Sequence, residues 1–274
     1  MSVYESQYVE RPEPWVPPWD GASYAANTAH HRRYDAELLA TLPLRGADRV
    51  LDLGCGSGDF TQQLAERVPD GHVVGLDAQR TMLDEARRVA LANQSFIEGP
   101  VQRLASLIDD QNPFDVVCSR SVLHWVPWTD HPGVLADCLG ALAPGGMLRI
   151  ECGGGDNVRE VAAFLDDVAA PFGPARAPWT FAGAGAYLDL VLAAGFRVDG
   201  GWVRTVAQRR PFTRDELLGW LHSQVLNAYE AALPAPTHAA FRAAAGERID
   251  ELRRADGTYD LTFVRLDVLA HRPT

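Results

Sequence analysis

Three glycines at alternate positions in LDLGCGSGDF, Gly54, Gly56 and Gly58, and the aspartate that ends the following VVGLD, Asp77, have the types and spacing to hold a nucleotide-like ligand. Without Cβ atoms a chain can turn sharply after a strand and let a ligand lie against its backbone. An acid at the end of the next strand can accept hydrogen bonds from both hydroxyls of a ribose. The structural alternative is a turn that only joins strand to helix, with Asp77 capping the helix after it. The spacing is GxGxG followed by Asp59, not the GxGxxG of dinucleotide sites, and an acid at a helix N-terminus repels pyrophosphate. A ligand without phosphate fits these residues better.

A second stretch, SRSVLHWVPW, holds Arg120, His124, Trp125 and Trp128 just after the apolar FDVVCS. In open α/β sheets ligands bind beyond the carboxyl ends of the strands, so this loop should line a pocket. His124 is a candidate general base, and packing between loop and helix is its structural alternative. Arg120 and Trp125 are candidate substrate-binding residues. Glu151, before the glycines of CGGGD, is a catalytic candidate that could orient a substrate, and Asp156 suits a surface or helix-capping role. Near the N-terminus, RPEPWVPPWD is too proline-rich for helix, and Trp15 and Trp19 either roof the pocket or anchor this arm.

The elements that must position these residues alternate along the chain. An alanine-rich helix ends before Pro43; RVLDL, HVVGLD, SFIEG, FDVVCS and MLRIEC read as strands, with helices DFTQQLAERV, TMLDEARRVALA and PGVLADCLGAL among them. Apolar strands separated by helices give a parallel sheet covered on both faces. After Cys152 come helices near NVREVAAFLDDVA and AYLDLVLAAG, and a long strand candidate in FRVDGGWVRTVAQRRPF. Helices TRDELLGWLHSQVLNAYEAAL and THAAFRAAAGERIDELRR follow, then the alternating strand TYDLTFVRLDVLAHR. The two late strands, interrupted by a helical insertion, are expected at an antiparallel edge of the sheet with the insertion as a cap. One domain is expected over 1–274, with an arm and lid helix (1–43), a cofactor-binding core (44–152) and acceptor-capping helices with the final strands (153–274).

Composition narrows the classes further. With 274 residues and 47% apolar content the chain can bury a large core. A net charge of -11 argues against nucleic acid, which requires a basic surface. No run is long and apolar enough for a membrane span and no signal-peptide pattern is present, so a cytoplasmic protein is expected. Cys55, Cys118, Cys138 and Cys152 show no CxxC pairing, which suggests neither a metal site nor a disulfide framework.

VLDLGCGSGDF, GLDAQRTMLDEAR, FDVVCSRSVLHWV and LAPGGMLRIE, in this order over about residues 22–152, resemble the class I S-adenosylmethionine-dependent methyltransferase family. The resemblance implies a doubly wound, seven-stranded, mostly parallel sheet of Rossmann-like type with S-adenosyl-L-methionine as cofactor. It implies that Gly54, Cys55, Gly56 and Gly58 cradle the methionine part, with Asp52 near its amino group and Ser119 approaching it from the fourth strand. Asp77 would bind the ribose, with Ala78 and Met82 along the adenine or ribose; Met82 is equally compatible with ordinary helix packing. Gln102 would contact the adenine amino group, although EGPVQRL stands where the family commonly has a Gly-Asp pair. Tyr24 and either Arg33 or His31, from the helix before the first strand, would reach the cofactor carboxylate, and His31 is also a catalytic candidate.

WDGASYAANTAHHRRYDAELLATLP and SVLHWVPW are similar to small-molecule carboxyl methyltransferases of the trans-aconitate methyltransferase type. That implies O-methylation of a small-molecule carboxylate by a monomer or homodimer. Transfer to a hydroxyl, amine or carbon acceptor is the alternative, as is a cyclase or decarboxylase that binds the cofactor without methylating.

Overall fold

The computed structural model describes residues 31–109, 111–175 and 179–274, without the side chains of 31–34. Seven strands form one sheet in the order β3-β2-β1-β4-β5-β7-β6. They are β1 (Arg49–Leu53), β2 (His72–Asp77), β3 (Gln94–Glu98), β4 (Phe114–Arg120), β5 (Leu142–Gly153), β6 (Arg197–Phe212) and β7 (Tyr259–His271). The first five pair in parallel, and β7 runs antiparallel to both β5 and β6. The expected antiparallel edge of late strands is therefore present. Chain order turns back between β1 and β4, which opens a crevice above their carboxyl ends.

The strand sequences fold this way because their apolar residues are needed on both faces. Along β1, Val50 packs into a cluster with Leu38 and Leu39 of α1 (His31–Leu39) and with Phe60 and Leu64 of α2 (Asp59–Ala65). Leu51 and Leu53 point the other way, into a cluster with Leu135 of α5 (His131–Ala141) and Tyr187 of α7 (Ala184–Ala193). β4 repeats the alternation, with Val116 and Cys118 on the α1 side and Val117 opposite. Two further helices, α3 (Arg80–Arg88) and the single-turn α4 (Leu104–Leu107), flank β3.

A third core lies among α6 (Arg159–Ala169), α8 (Arg214–Gln224), α9 (Leu226–Glu230) and α10 (His238–Arg248), where Tyr229, Phe241, Leu217 and Leu261 are buried. The long helix expected from TRDELLGWLHSQVLNAYEAAL is broken at Val225, whose φ of -128° leaves the helical region. Thr213 starts α8 with a capping box: its hydroxyl accepts the Glu216 N–H (3.2 Å) while the Glu216 carboxylate accepts the Thr213 N–H (2.8 Å).

Strand register explains where this layer sits. β5 pairs with β7 only over Met147–Gly153 and Arg265–His271, whereas β6 and β7 stay paired out to Phe212 and Tyr259. The β6–β7 ribbon thus projects past the carboxyl end of β5, and α8, which follows β6, brings Trp220 and Gln224 to the crevice. Arg149 and Asp267, both buried, pair where β5 meets β7; Arg204 of β6 joins Asp267 at 2.8 Å, and Arg149 reaches Thr41 at 2.9 Å. No helix among the described residues is long and apolar enough to cross a membrane.

Candidate active site

The three glycines after β1 share positive φ angles, +72°, +55° and +86°, but meet different neighbours. A Cβ on Gly54 would lie 2.1 Å from Val122 Cγ2, and one on Gly58 would lie 2.9 Å from the Ala86 Cβ of α3. A Cβ on Gly56 would meet only Met82 Cε, at 3.4 Å, because this residue faces a cavity. The turn is pinned from below, where the N–H groups of Gly54 and Cys55 both donate to the Leu76 carbonyl (2.6 and 3.0 Å). Asp77 closes it, one carboxylate oxygen accepting the Gly56 N–H (2.9 Å) and the other the Gln79 N–H (2.8 Å). Burial raises its pKa against the pull of these two bonds. Each oxygen keeps a lone pair for a donor in the cavity, as a ribose diol requires.

The cavity, of about 190 Å³, runs without interruption from Asp77, Ala78, Met82 and Gln102 past Gly54 and Gly56 to Arg120, His124, Trp125 and Glu151. Four residues expected at the cofactor do not line it. Asp52 lies beneath the turn, accepting from Thr61 Oγ1 (2.8 Å), and its pKa is pushed up to about 6, chiefly by burial. Ser119 turns its hydroxyl to the Leu53 carbonyl (3.1 Å), Cys55 is buried, and Gly58 serves the contact between α2 and α3. Trp15, Trp19 and Tyr24 lie outside the described residues, as do the side chains of His31 and Arg33.

At the far end, His124 is buried against Phe181 and Trp125, and its Nδ1 accepts the Gly153 N–H at 3.2 Å. That hydrogen bond assigns the ring proton to Nε2. Burial, reinforced by the charge of Arg265, holds the imidazole's pKa well below 6.5. The expected base is therefore a neutral N–H donor. Glu151, a further catalytic candidate beside His124 and His31, is gripped by two nitrogens of the Arg265 guanidinium, one at 2.8 Å. Arg265 also donates to Ser121 Oγ (2.8 Å), a residue at φ +60° whose own N–H is held by the Glu151 carbonyl (2.7 Å). Arg120 pairs with Asp35 of α1 at 2.8 Å and lies over the Phe60 ring.

More than half of the residues that line the cavity are ones that sequence reasoning did not select. Gln208 and Arg210 share the inward face of β6, where exposure alternates from Val206 to Phe212. Phe263 and Arg265 share a face of β7, and Trp220 and Gln224 come from α8. Trp179 and Phe181 stack beside Trp125. The available signal was in VAQRR: polar residues at the inward positions of an alternating strand.

The chain matches the methyltransferase domain family over residues 50–146. It is 33% identical over 268 residues to trans-aconitate 2-methyltransferase of Variovorax paradoxus (strain S110), covering 93% of this chain and 98% of that one. Among solved structures it is similar to the YcgJ protein of Bacillus subtilis (TM-score 0.60, 15% identity, 89% of this chain and 100% of that one). A second likeness is to Haemonchus contortus phosphoethanolamine N-methyltransferase 2 in complex with S-adenosyl-L-methionine (TM-score 0.58, 18% identity, 93% and 57% covered).

Proposed function

The chain belongs to the class I S-adenosylmethionine-dependent methyltransferases, and from that premise we propose that its acceptor is a carboxylate of a small di- or tricarboxylic acid of the trans-aconitate kind. Bound S-adenosylmethionine supplies an electrophilic methyl group on a sulfonium. In this reading Asp77 takes the ribose hydroxyls, Gly56 allows the close approach, Ala78 and Met82 flank the nucleoside, and Gln102 faces the adenine edge. Residues 44–152 then form the cofactor-binding core and also supply His124 and Glu151 to the acceptor end, whose remaining wall comes from 153–274.

The observation that carries the acceptor assignment is the polarity of the cavity's far end. His124 presents Nε2–H, Arg210 and Arg265 line the wall, and the carboxylate there, Glu151, is taken up by Arg265. Such a wall suits an anion, and among the described residues it offers no group poised to remove a proton. A carboxylate fits because it is ionised at neutral pH and needs orientation and exclusion of water rather than a base. The aromatic side chains Trp125, Trp179, Phe181, Trp220 and Phe263 shield the site from water. The names of relatives at 33% identity, trans-aconitate 2-methyltransferase, point to the same class.

Incubation with S-adenosylmethionine and a panel of polycarboxylates, phenols and amines tests this by mass spectrometry of the products. A base-labile methyl ester of a polycarboxylate is expected. Transfer confined to phenols, amines or carbon acceptors would refute the carboxylate assignment and leave the methyltransferase assignment standing.

A further inference from the structure

We propose that Arg120 binds the carboxylate at the methionine end of the cofactor, and that Asp35 of α1 is the positioning residue that aims it. The inference depends on the cofactor and not on the identity of the acceptor. S-adenosylmethionine has a nucleoside at one end and an amino-acid carboxylate at the other, and a carboxylate taken out of water needs a charged or multiple-donor partner.

Topology sets the direction of the ligand. With the ribose at Asp77, on the end of β2, a ligand that continues over Gly56 and Gly54 crosses the end of β1 and reaches the end of β4. Among the described cavity residues the first cation on that path is Arg120, the last residue of β4; Arg265 and Arg210 stand farther on, beyond β5. Strand alternation puts Arg120 on the side of Val116 and Cys118, which is the side of α1 and α2. There its guanidinium lies 5.3 Å from the Phe60 ring centroid.

Asp35 occupies only part of the guanidinium. Its contact is to Nη1, at 2.8 Å, and its other oxygen accepts from Gln63 Nε2 at 3.0 Å, which fixes the carboxylate from the α2 side. The pair is nearly sealed, with side-chain exposures of 12% for Arg120 and 1% for Asp35. A guanidinium has five N–H donors, and Nε has no hydrogen-bond partner among the described residues. A fork held at one corner, whose side chain lines the ligand cavity, has the donors that a carboxylate requires.

Calorimetric titration of the intact protein with two ligands tests the assignment. S-adenosylhomocysteine keeps the amino-acid end; 5′-methylthioadenosine keeps the nucleoside and sulfur and lacks that end. R120Q should bind S-adenosylhomocysteine ~10- to 100-fold more weakly and 5′-methylthioadenosine within about twofold of wild type, the size expected for a charge-assisted contact. D35N should show the same selectivity with a loss of ~3- to 10-fold, as befits a residue acting through another. Thermal melts establish that each variant is folded; if R120Q is not, R120K, which keeps the charge and loses the fork, is expected to lose S-adenosylhomocysteine affinity selectively. Unchanged S-adenosylhomocysteine affinity, an equal loss for both ligands, or a rise confined to the KM of the acceptor would overturn the proposal.

Discussion

With Nδ1 accepting the Gly153 N–H, His124 meets the cavity as a neutral donor throughout the physiological range, because burial and the nearby Arg265 oppose its protonation. The activity profile should therefore lack a histidine inflection: kcat/KM for the acceptor is expected to be flat between pH 6 and 8.5, and a step near 6.5 would contradict this. H124A removes the donor and strands the Gly153 N–H, for an expected ~10- to 100-fold loss in kcat/KM. H124Q, which can accept from Gly153 and still donate into the cavity, should recover part of it. Arg210 acts at a distance from the cofactor turn. R210Q should raise the acceptor KM by ~10-fold with kcat little changed, the signature of lost ground-state binding in steady-state kinetics. At this scale the sequence pointed to SRSVLHWVPW, whose Arg120, His124 and Trp125 line the cavity, and not to the direction of the proton. That direction depends on Gly153, a residue distant in the chain.

The turn between β1 and α2 has three glycines that respond differently to the same change. G58A combines a left-handed backbone with a Cβ driven into Ala86 of α3, and should destabilise the fold by ~2–3 kcal/mol in urea melts. G56A meets open space apart from Met82, so it should cost only ~1 kcal/mol of stability while weakening S-adenosylhomocysteine by ~10-fold or more in calorimetry. Equal effects of the two changes on stability and on affinity would contradict this division. The GxGxG pattern was legible because each of these positions adopts positive φ, a local requirement. Which glycine faces ligand and which faces a helix was not legible, since Val122 and Ala86 approach from other elements. The projecting β6–β7 ribbon has the same status: its alternation is visible in VAQRR and TFVRL, but its extension past β5 is a matter of register.

For the molecule as a whole, Asp52 links stability to pH. Its pKa in the fold is about 6 against an ordinary 3.8, so the folded protein holds this proton more tightly than the unfolded chain does. The associated stability is complete below about 3.8 and is lost as the pH rises through about 6. D52N removes the titration, so its stability relative to wild type should improve by on the order of 1 kcal/mol per pH unit across that window. Urea melts at pH 5, 6 and 7.5 measure it; parallel pH dependence of the two proteins would show that Asp52 does not titrate as described. The other buried carboxyls raised by desolvation, Asp35 and Asp77, titrate in both proteins and cancel in the comparison. The sequence by itself determined the alternation of strands and helices, the glycine turn with its Asp77, and the cofactor class. The alternation and the turn follow from periods of two and 3.6 residues and from backbone sterics, which act between near neighbours, and the cofactor class follows from the resemblance of these motifs to the methyltransferase family. Only the tertiary structure decided the far wall of the cavity, because Gln208, Arg210, Phe263 and Arg265 converge on His124 through antiparallel pairing of distant segments. It also decided which polar atoms face the cavity, because a buried donor or acceptor is defined by the partner it already has, as Glu151 has Arg265 and Asp52 has Thr61.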